Sequence, residues 1–483
     1  MRPYSLALTL ALLFAPAQLA AQITEQEYAE RRAHLASQIA EPVILAVGGA
    51  RDQNLTYLTG LREPDAVLLM VREDGRITET IFLPAPDPTQ DPLEDAENPA
   101  TGPREVAAGE TEGATWTWHT PAGSGLNRRD LAELEQVLGP LLARHHSVAT
   151  VGAYNPGLRG SDLTRRIEAV LAEEAGVEVK DASHVITAMR AIKSEAELAL
   201  IERAINITAE AHREIMRNLR PGLTEDDIKE VIDGIYHRLG ADPRPAFGHI
   251  VASGANSVVL HYRGGDRLME DGDHVKIDIG AAFHGYAADI TRTYPVNGTF
   301  SPAQRDIYQI VLEALVAAED AGTPRASHET LSAAADRALS EGLTRIGLMD
   351  GPQASYDCLD RDGEMAECPQ LRLFFFHGLG HGIGLAVHDS RPGTLEVGSA
   401  YTIEPGIYVR PNLMDHIPDT PRNREYIRRM GPAFQRYSGI GVRIEDDYFV
   451  TPRGVERISR TPREVDEIET FMAAHRDPEQ VWN

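Results

Sequence analysis

Cysteine is scarce in this chain: 483 residues include only Cys358 and Cys368. Two cysteines exclude a disulfide-rich scaffold, and a zinc site is not expected because no other Cys or close His accompanies them. If the protein is exported, we expect this nearby pair to form a disulfide that closes a small polar loop. Two free thiols are the alternative.

Basic residues are also in short supply, because 47 Lys and Arg face 73 Asp and Glu and the net charge is −26. This balance disfavours nucleic acid and anionic membranes as partners, since both are bound through Lys and Arg. The apolar content of 42% and the charged content of 25% are those of a soluble globular protein. The length exceeds one ordinary core, so we expect two domains.

Long apolar runs are absent apart from one near the start of the chain. Arg2 is followed by an apolar run from Leu6 to Ala15 and then by small residues. This run is shorter than the roughly 20 residues that a membrane span needs. The layout predicts a signal peptide over residues 1–21 and an exported protein, periplasmic or secreted.

The region 22–185 alternates strand-like and helical patterns, which predicts a small α/β domain. A stretch rich in Pro, Asp and Glu, residues 84–114, predicts a long surface loop. The helical patterns cover 25–40, 128–144 and 163–175, and the strand patterns cover 42–47, 66–71, 78–83 and 148–151.

The region 186–483 has runs of helices and runs of strands, which predicts an α+β domain with helices covering an antiparallel sheet. Three capping-box patterns each predict the start of a helix, and they begin at Ser194, Ser301 and Thr461. Strand patterns that contain Asp or Glu lie between these helices.

Asp278 and Asp289 interrupt two apolar strand patterns within residues 275–293. A two-residue turn at Phe283-His284 would pair them across a hairpin, with Cβ atoms roughly 4.5–5.5 Å apart. Two carboxylates at that separation repel each other unless a cation lies between them. A bulge at Gly285 would shift the register. Two solvated Asp residues are the alternative, and the apolar flanking residues weigh against it.

Three histidines, His377, His381 and His388, lie in the glycine-rich segment FFFHGLGHGIGLAVHDS. The glycines make a helix improbable, so the spacing is not that of a helical zinc protease. Glycine instead lets the backbone approach a ligand closely. A single His beside apolar residues is usually a core residue, but three in one such segment indicate a site.

Glu404 and Glu445 each lie in a strand pattern that is otherwise mostly apolar. A buried carboxylate needs a cation, hydrogen bonds or a bound proton. Arg443 shares a strand face with Glu445, so a salt bridge between them is an alternative explanation. Four carboxylates and one imidazole form a set suited to two divalent ions such as manganese: Asp278, Asp289, His381, Glu404 and Glu445.

The ordered segments LHYRGGD, KIDIGAAFHGYAADITRT, FFFHGLGHGIGLAVHD, TIEPGIY and GIGVRIEDD resemble those of aminopeptidase P and prolidase. These are proline-directed peptidases of pita-bread fold, and the resemblance spans the second domain. The segment DQNLTYLTGLREPDAVLLMV is similar to the smaller domain of the same enzymes. The resemblance implies a pita-bread catalytic domain at 186–483, preceded by an α/β domain of aminopeptidase P/creatinase type at 22–185.

The resemblance also implies roles for individual residues. Two divalent ions, manganese first and cobalt, zinc or iron as alternatives, would hold a bridging hydroxide as the nucleophile. The metal ligands would be Asp278, Asp289, His381, Glu404 and Glu445, with Asp289 and Glu445 as bridges. Glu404 would also move a proton, His261 and His388 would donate hydrogen bonds to the substrate carbonyl, His377 would be a further active-site histidine and Arg443 would lie behind the ligands.

Three functions follow from the resemblance. The first is release of the N-terminal residue from peptides with proline second, by a homodimer or homotetramer. The second is an Xaa-Pro dipeptidase, in which Arg391 would hold the substrate carboxylate. The third is a non-catalytic peptide- or protein-binding protein of the same fold, against which the unaltered ligand positions count. The segment 350–370 departs from the family because it is longer and more acidic than a minimal connection.

Overall fold

The computed structural model describes residues 22–48, 53–62, 65–85, 125–151, 162–173 and 176–475. The chain divides between Arg190 and Ala191 into two compact units, whereas the sequence placed the domain boundary at 185/186. The predicted signal peptide, 1–21, and most of the predicted loop 84–114 lie outside the described residues. No helix in the described part of the chain is long and apolar enough to cross a membrane.

In its described residues, the N-terminal unit has the strands β1 (Val43–Val47), β2 (Val67–Glu73), β3 (Arg76–Leu83), β4 (Asn127–Asp130), β5 (Ser147–Val151) and β6 (Glu178–Asp181). They form a mixed sheet in the order β4-β3-β2-β1-β5-β6. Buried apolar side chains of its central strands form the core with the helices. The helices are Glu25–Gln38, Asn54–Thr59, Leu134–His145, Asp162–Glu173 and Ser183–Ala191.

One helix of this unit begins later than its sequence pattern predicts. The pattern starts at Arg128, but the α-helix starts at Leu134, after a 3-10 turn. Residues 127–130 are extended because they pair in parallel with β3. Asp130 then caps the 3-10 turn by accepting a hydrogen bond from the backbone N–H of Ala132. Strand pairing therefore outweighs helical periodicity here.

The C-terminal unit combines helices with antiparallel ladders, which confirms the α+β prediction. Its strands are β7 (Ile250–Ser253), β8 (His274–Ile279), β9 (Ala282–Phe283), β10 (Tyr286–Ala287), β11 (Ile290–Pro295), β12 (Ser355–Leu359), β13 (Met365–Pro369), β14 (Ala400–Ile403), β15 (Gly406–Tyr408), β16 (Gly441–Arg443), β17 (Asp446–Thr451) and β18 (Gly454–Arg457). Its helices are Glu195–Asn218, Glu225–Arg238, Pro302–Ala321, His328–Arg345, Pro421–Tyr437 and Val465–His475.

Two of the three predicted capping boxes are confirmed, those of Ser194 and Ser301. The prediction at Thr461 is wrong, because the last helix begins at Val465. The backbone carbonyls of Thr461 and the following proline accept hydrogen bonds from the buried guanidinium of Arg292. These carbonyls therefore take part in a tertiary contact with Arg292, and the helix does not start at Thr461.

Strand β8 shows how the fold provides a buried polar surface. Its residues alternate between two faces, as in any strand. Val275, Ile277 and Ile279 belong to the apolar core, while Lys276 and Asp278 lie on the opposite face. Both faces are buried, and the polar one is the face on which the candidate metal site is built.

The segment that carries the two cysteines folds as the β12–β13 hairpin. Cys358 and Cys368 are joined by a disulfide, as the sequence predicted, with a Cα–Cα distance of 5.8 Å. The side chain of Asn423 bonds to both the N–H and the carbonyl of Asp357, which ties the hairpin to the start of the helix Pro421–Tyr437.

Candidate metal centre

The hairpin that carries two of the predicted ligands turns one residue later than the sequence analysis assumed. Asp278 pairs with Thr291, and the turn residues are His284 and Gly285, with φ values of 50° and 83°. A two-residue turn of this kind needs positive φ at both positions, and glycine adopts it without strain. The predicted direct pairing of Asp278 with Asp289 is therefore wrong. Asp289 is a diagonal neighbour on the same face.

His381 lies among three of the predicted carboxylate ligands. Its Nε2 is 3.4 Å from Asp289 Oδ2, 3.8 Å from Glu404 Oε1 and 3.9 Å from Glu445 Oε1. One ligand atom each from Asp289, His381 and Glu445 lie within 4.8 Å of one another, close enough to hold one metal ion. The fold thus brings together residues from three separate parts of the sequence.

Asp278 is linked to this cluster through Arg443, whose Nη2 donates a hydrogen bond to Asp278 Oδ2. The same guanidinium donates from Nη1 to Tyr408 Oη at 3.1 Å and from Nε to Thr291 Oγ1 at 3.2 Å. The salt bridge from Arg443 to Glu445, considered from the sequence, is not formed. Arg443 instead fixes Asp278 against the cluster, while Glu445 accepts a hydrogen bond from Thr291 Oγ1.

The buried carboxylates fit a bound cation. Asp278 Oδ1, Asp289 Oδ1 and Glu445 Oε1 are buried and have no hydrogen-bond partner among the described residues. Burial and then the neighbouring Glu445 carboxylate raise the pKa of Asp289 and of Glu404, and burial with the Asp278 carboxylate raises the pKa of Glu445 to about 7. Unpaired carboxylates at this density are costly unless a cation binds them. Oxygen ligands with one imidazole suit divalent ions.

The orientation of His381 fits a ligand role. Its Nδ1 lies 3.1 Å from the carbonyl oxygen of Gly382, so Nδ1–H donates there and the Nε2 lone pair faces the carboxylates. Burial and the nearby His388 lower the pKa of His381 to about 4. The ring is therefore neutral near pH 7, as a metal ligand must be.

His377 is held beside Glu404. Its Nδ1 donates to the Gly378 carbonyl at 2.8 Å and is 3.7 Å from Glu404 Oε2. Its Nε2 accepts a hydrogen bond from Tyr408 Oη at 2.8 Å. Burial and the Arg443 guanidinium lower the pKa of His377 to about 3, so the ring is neutral and has a fixed tautomer.

The other two predicted histidines lie at the edge of this cluster. The ring centroid of His388 is 4.1 Å from that of His381. His261 is exposed, and partial burial followed by the Arg443 charge lowers its pKa. Arg391, the candidate carboxylate-binding residue, has Nη1 3.1 Å from His328 Nδ1.

The glycine-rich histidine segment is not helical, as predicted. A Cβ atom at Gly380 would lie 2.0 Å from the carbonyl oxygen of Thr402. The segment packs against β14, where the N–H of Thr402 donates to the carbonyl of His381. Only glycine permits this approach, which sets His381 against the strand that leads to Glu404.

Sequence reasoning missed Tyr408, Thr291 and Lys276. Tyr408 links His377 to Arg443, and Thr291 links Arg443 to Glu445. The sequence patterns pointed to the candidate ligands, the histidines and two arginines, and not to a phenol, a hydroxyl or a lysine. One signal was present: Lys276 lies two residues before Asp278 and thus on the same strand face.

The comparisons with known proteins agree with this geometry. Metallopeptidase family M24 matches residues 199–452. The chain belongs to metallopeptidase family M24. It is 31% identical to an Xaa-Pro aminopeptidase from Escherichia coli, over 94% of this chain and 99% of that protein. It is 32% identical to an Xaa-Pro dipeptidase from Homo sapiens, over 60% of this chain and 61% of that protein.

Solved structures of aminopeptidases are also similar to this M24 chain. Zinc-substituted aminopeptidase P from Escherichia coli, in complex with product, has a TM-score of 0.75 at 30% identity and covers 94% of this chain and 100% of that one. An aminopeptidase from Pseudomonas aeruginosa has a TM-score of 0.74 at 30% identity, over 94% and 99% of the two chains. The protein is a peptidase with the pita-bread fold, and its family implies divalent metals.

Proposed function

We propose that this M24 chain is a two-metal aminopeptidase that releases the N-terminal residue from peptides with proline in second position. The observation that carries the proposal is the group of buried carboxylates around His381, with Asp289 and Glu445 within reach of one metal ion. The relatives support aminopeptidase over dipeptidase specificity, because an Xaa-Pro aminopeptidase aligns over 94% of this chain, whereas the human dipeptidase aligns over 60%.

The metal ions would be held by Asp278, Asp289, His381, Glu404 and Glu445. Two divalent ions there would lower the pKa of a bound water and polarise the substrate carbonyl. Glu404 would accept the proton of the attacking water and return it to the leaving nitrogen. His261 and His388 would donate hydrogen bonds to the carbonyl oxygen as negative charge develops on it.

The network behind the ligands has its own part in this chemistry. Arg443 offsets the charge of Asp278 and orients it, as hydrogen-bonded partners do for metal-binding carboxylates. Tyr408 donates to His377 Nε2, so His377 presents a fixed tautomer beside Glu404. These contacts would hold the groups in place before substrate arrives, and well-oriented groups lower the barrier more than flexible ones.

The deciding experiment compares three substrates, Ala-Pro-Ala, Ala-Pro and Ala-Ala-Ala, with manganese-loaded protein beginning at Gln22. We expect the proline tripeptide to be cleaved best and Glu404→Ala to abolish cleavage. A matched control is Glu230→Ala, which removes an exposed glutamate of the helix Glu225–Arg238. If a folded protein that holds two metal ions cleaves none of the three, the proposal fails.

A preference for Ala-Pro would assign the dipeptidase function instead. Arg391 would then be the residue to change, because a guanidinium binds a carboxylate well. In the structure its Nη1 lies next to His328 Nδ1. In that case Arg391→Ala should raise KM for Ala-Pro and leave the tripeptide unaffected. For the aminopeptidase we expect Arg391→Ala to leave both substrates unchanged.

We also propose manganese as the metal and export as the destination. Four carboxylates with one imidazole favour a hard divalent ion, although cobalt, zinc and iron share such ligand sets. Elemental analysis of the protein isolated from its source tests the metal, and zinc alone would refute manganese.

The apolar run after Arg2 and the Cys358–Cys368 disulfide support export. An isolated protein that retains residues 1–21 would refute it.

A further inference from the structure

Lys276 is a buried amino group that the proposed chemistry does not use. It lies on β8 two residues before Asp278, on the polar face, and its side chain is fully buried. Among the residues that the structure describes, no carboxylate lies within ion-pair distance of its Nζ. A lysine is rarely buried without such a partner. Its position therefore requires other hydrogen-bond acceptors.

The acceptors are two backbone carbonyls. Nζ of Lys276 lies 2.6 Å from the carbonyl oxygen of Val259 and 3.4 Å from that of Leu260. His261 follows directly. Val259 is 47% exposed and His261 is exposed, and on the far side of His261 the hydroxyl of Tyr262 accepts a hydrogen bond from Asn256 Nδ2 at 2.8 Å. The other backbone bond of Val259, to the Asn256 carbonyl, is local. Lys276 thus connects the exposed segment to the buried sheet.

The same amino group faces the network behind the metal ligands. Nζ of Lys276 is 5.2 Å from the centre of the Tyr408 ring. Tyr408 is bonded in turn to His377 and to Arg443. Lys276 therefore sits between the segment that carries His261 and the part of the site that carries Asp278. Its two carbonyl contacts link the backbone before His261 directly to the strand of Asp278.

We infer that Lys276 is a positioning residue that holds His261 where it donates a hydrogen bond to the substrate carbonyl. This inference rests on the proposed function, in which His261 has that role. The donor must be placed within a few tenths of an ångström, because a misplacement of about 1 Å can cost roughly 10²-fold in rate. The Tyr262 hydroxyl bonds to Asn256, which belongs to the same stretch of chain, so the two bonds of Lys276 are the ones that tie the backbone before His261 to the metal-site strand β8.

A double-mutant cycle tests whether Lys276 acts through His261. We would measure kcat/KM for Ala-Pro-Ala with Lys276→Met, His261→Ala and the double variant, all loaded with manganese. Met keeps the length of the side chain and removes the donors. When His261 is present, we expect Lys276→Met to lower kcat/KM about tenfold or more. In the His261→Ala background the same change should lower it less than about twofold.

The matched control is Val275→Ala, on the same strand but on the core face. It removes packing and should reduce thermal stability, and its effect on kcat/KM should be equal with and without His261. If Lys276→Met also lowers kcat/KM by the same factor in both backgrounds, Lys276 is a structural residue and the inference is overturned. If Lys276→Met does not fold, Lys276→Gln replaces it in the same cycle.

A second readout does not depend on activity. With ¹³C-labelled histidine, the ring signal of His261 is identified by its loss in His261→Ala. Lys276→Met should shift or broaden this signal, whereas Val275→Ala should not; an unchanged signal would overturn the inference. Failure of the proposed function would look different, because the wild type would then cleave no proline peptide whatever the His261 signal does.

Discussion

Two hairpins of the C-terminal unit use carboxylates in opposite ways. In the hairpin β12–β13, Asp357 accepts hydrogen bonds from Thr420 and Arg422, and Arg422 also bonds to Glu367. In the hairpin β8–β11, Asp278 and Asp289 are buried and each keeps an oxygen without a partner among the described residues.

The difference separates acidic residues that form structural ion pairs from those of the proposed metal site. A paired, partly exposed carboxylate needs no further ligand, and such surface pairs contribute little to stability. A buried carboxylate with an unused oxygen is unfavourable until something binds it, and perturbed groups of this kind cluster at functional sites. Sequence alone does not distinguish the two, because both hairpins contain acidic residues next to apolar ones.

The largest expected contrast is between Asp289→Asn and Asp357→Asn. Asp289→Asn removes a predicted bridging ligand, so we expect kcat/KM for Ala-Pro-Ala to fall roughly 10³-fold or more, equivalent to several kcal/mol of metal assistance. Asp357→Asn should change it less than about twofold. Steady-state kinetics with saturating manganese measures both. Equal effects would remove the distinction between the two hairpins.

The next contrast concerns stability. The disulfide of β12–β13 links residues 10 positions apart, so replacing Cys358 and Cys368 together by Ala should cost about 3 kcal/mol of unfolding free energy. Urea denaturation measures this cost. The folded variant should keep its kcat/KM, since the described hairpin supplies none of the predicted ligands. Loss of activity in the folded variant would show that this hairpin shapes the site.

A smaller effect is expected from Thr291→Val, which keeps the shape of the side chain on β11. The change removes the hydrogen bonds of Thr291 Oγ1 with Glu445 and Arg443. Groups that orient metal ligands typically contribute 10–100-fold, so we expect manganese affinity to fall about tenfold. Isothermal titration calorimetry measures it, with Ser355→Ala on β12 as the control. Unchanged affinity would mean that Glu445 needs no such support.

The smallest effect is a dependence of stability on pH in the metal-free protein. The folded pKa of Glu445 is raised to about 7, so protonation stabilises the folded state below that pH and this contribution is lost as pH rises through 7. With chelator present, the Tm of the wild type should therefore gain about 1–2 °C relative to that of Glu445→Gln when the pH is lowered from 8 to 6.5. Glu367→Gln on β13 should respond to pH as the wild type does. A response to pH that is the same in Glu445→Gln as in the wild type would refute the assignment.

Much of this architecture could be predicted from local sequence. The capping boxes at Ser194 and Ser301 fix two helix starts because the contacts that define them lie within four residues. The strand patterns around Glu404 and Glu445 were recognisable for a similar reason, since a carboxylate among apolar neighbours stands out in a strand. The start expected at Thr461 failed because Arg292, remote in sequence, occupies that backbone.

The arrangement of the site was less predictable. The register of Asp278 depends on which two residues form the turn, and the choice between Phe283-His284 and His284-Gly285 is decided by backbone conformation. The role of Tyr408 could not be predicted from the sequence, because a buried tyrosine usually belongs to an apolar core. Its role depends on the distance to His377, which only the folded chain sets.

The most direct test of the central claim is to follow cleavage of Ala-Pro-Ala while manganese is added to metal-free protein and bound metal is counted per chain. The account predicts that activity is absent without metal and reaches its maximum at two ions per chain. It also predicts that Asp289→Asn, in the same titration, does not bind the second ion. Full activity in the chelated protein, or a wild type that binds no divalent ion, would contradict the account.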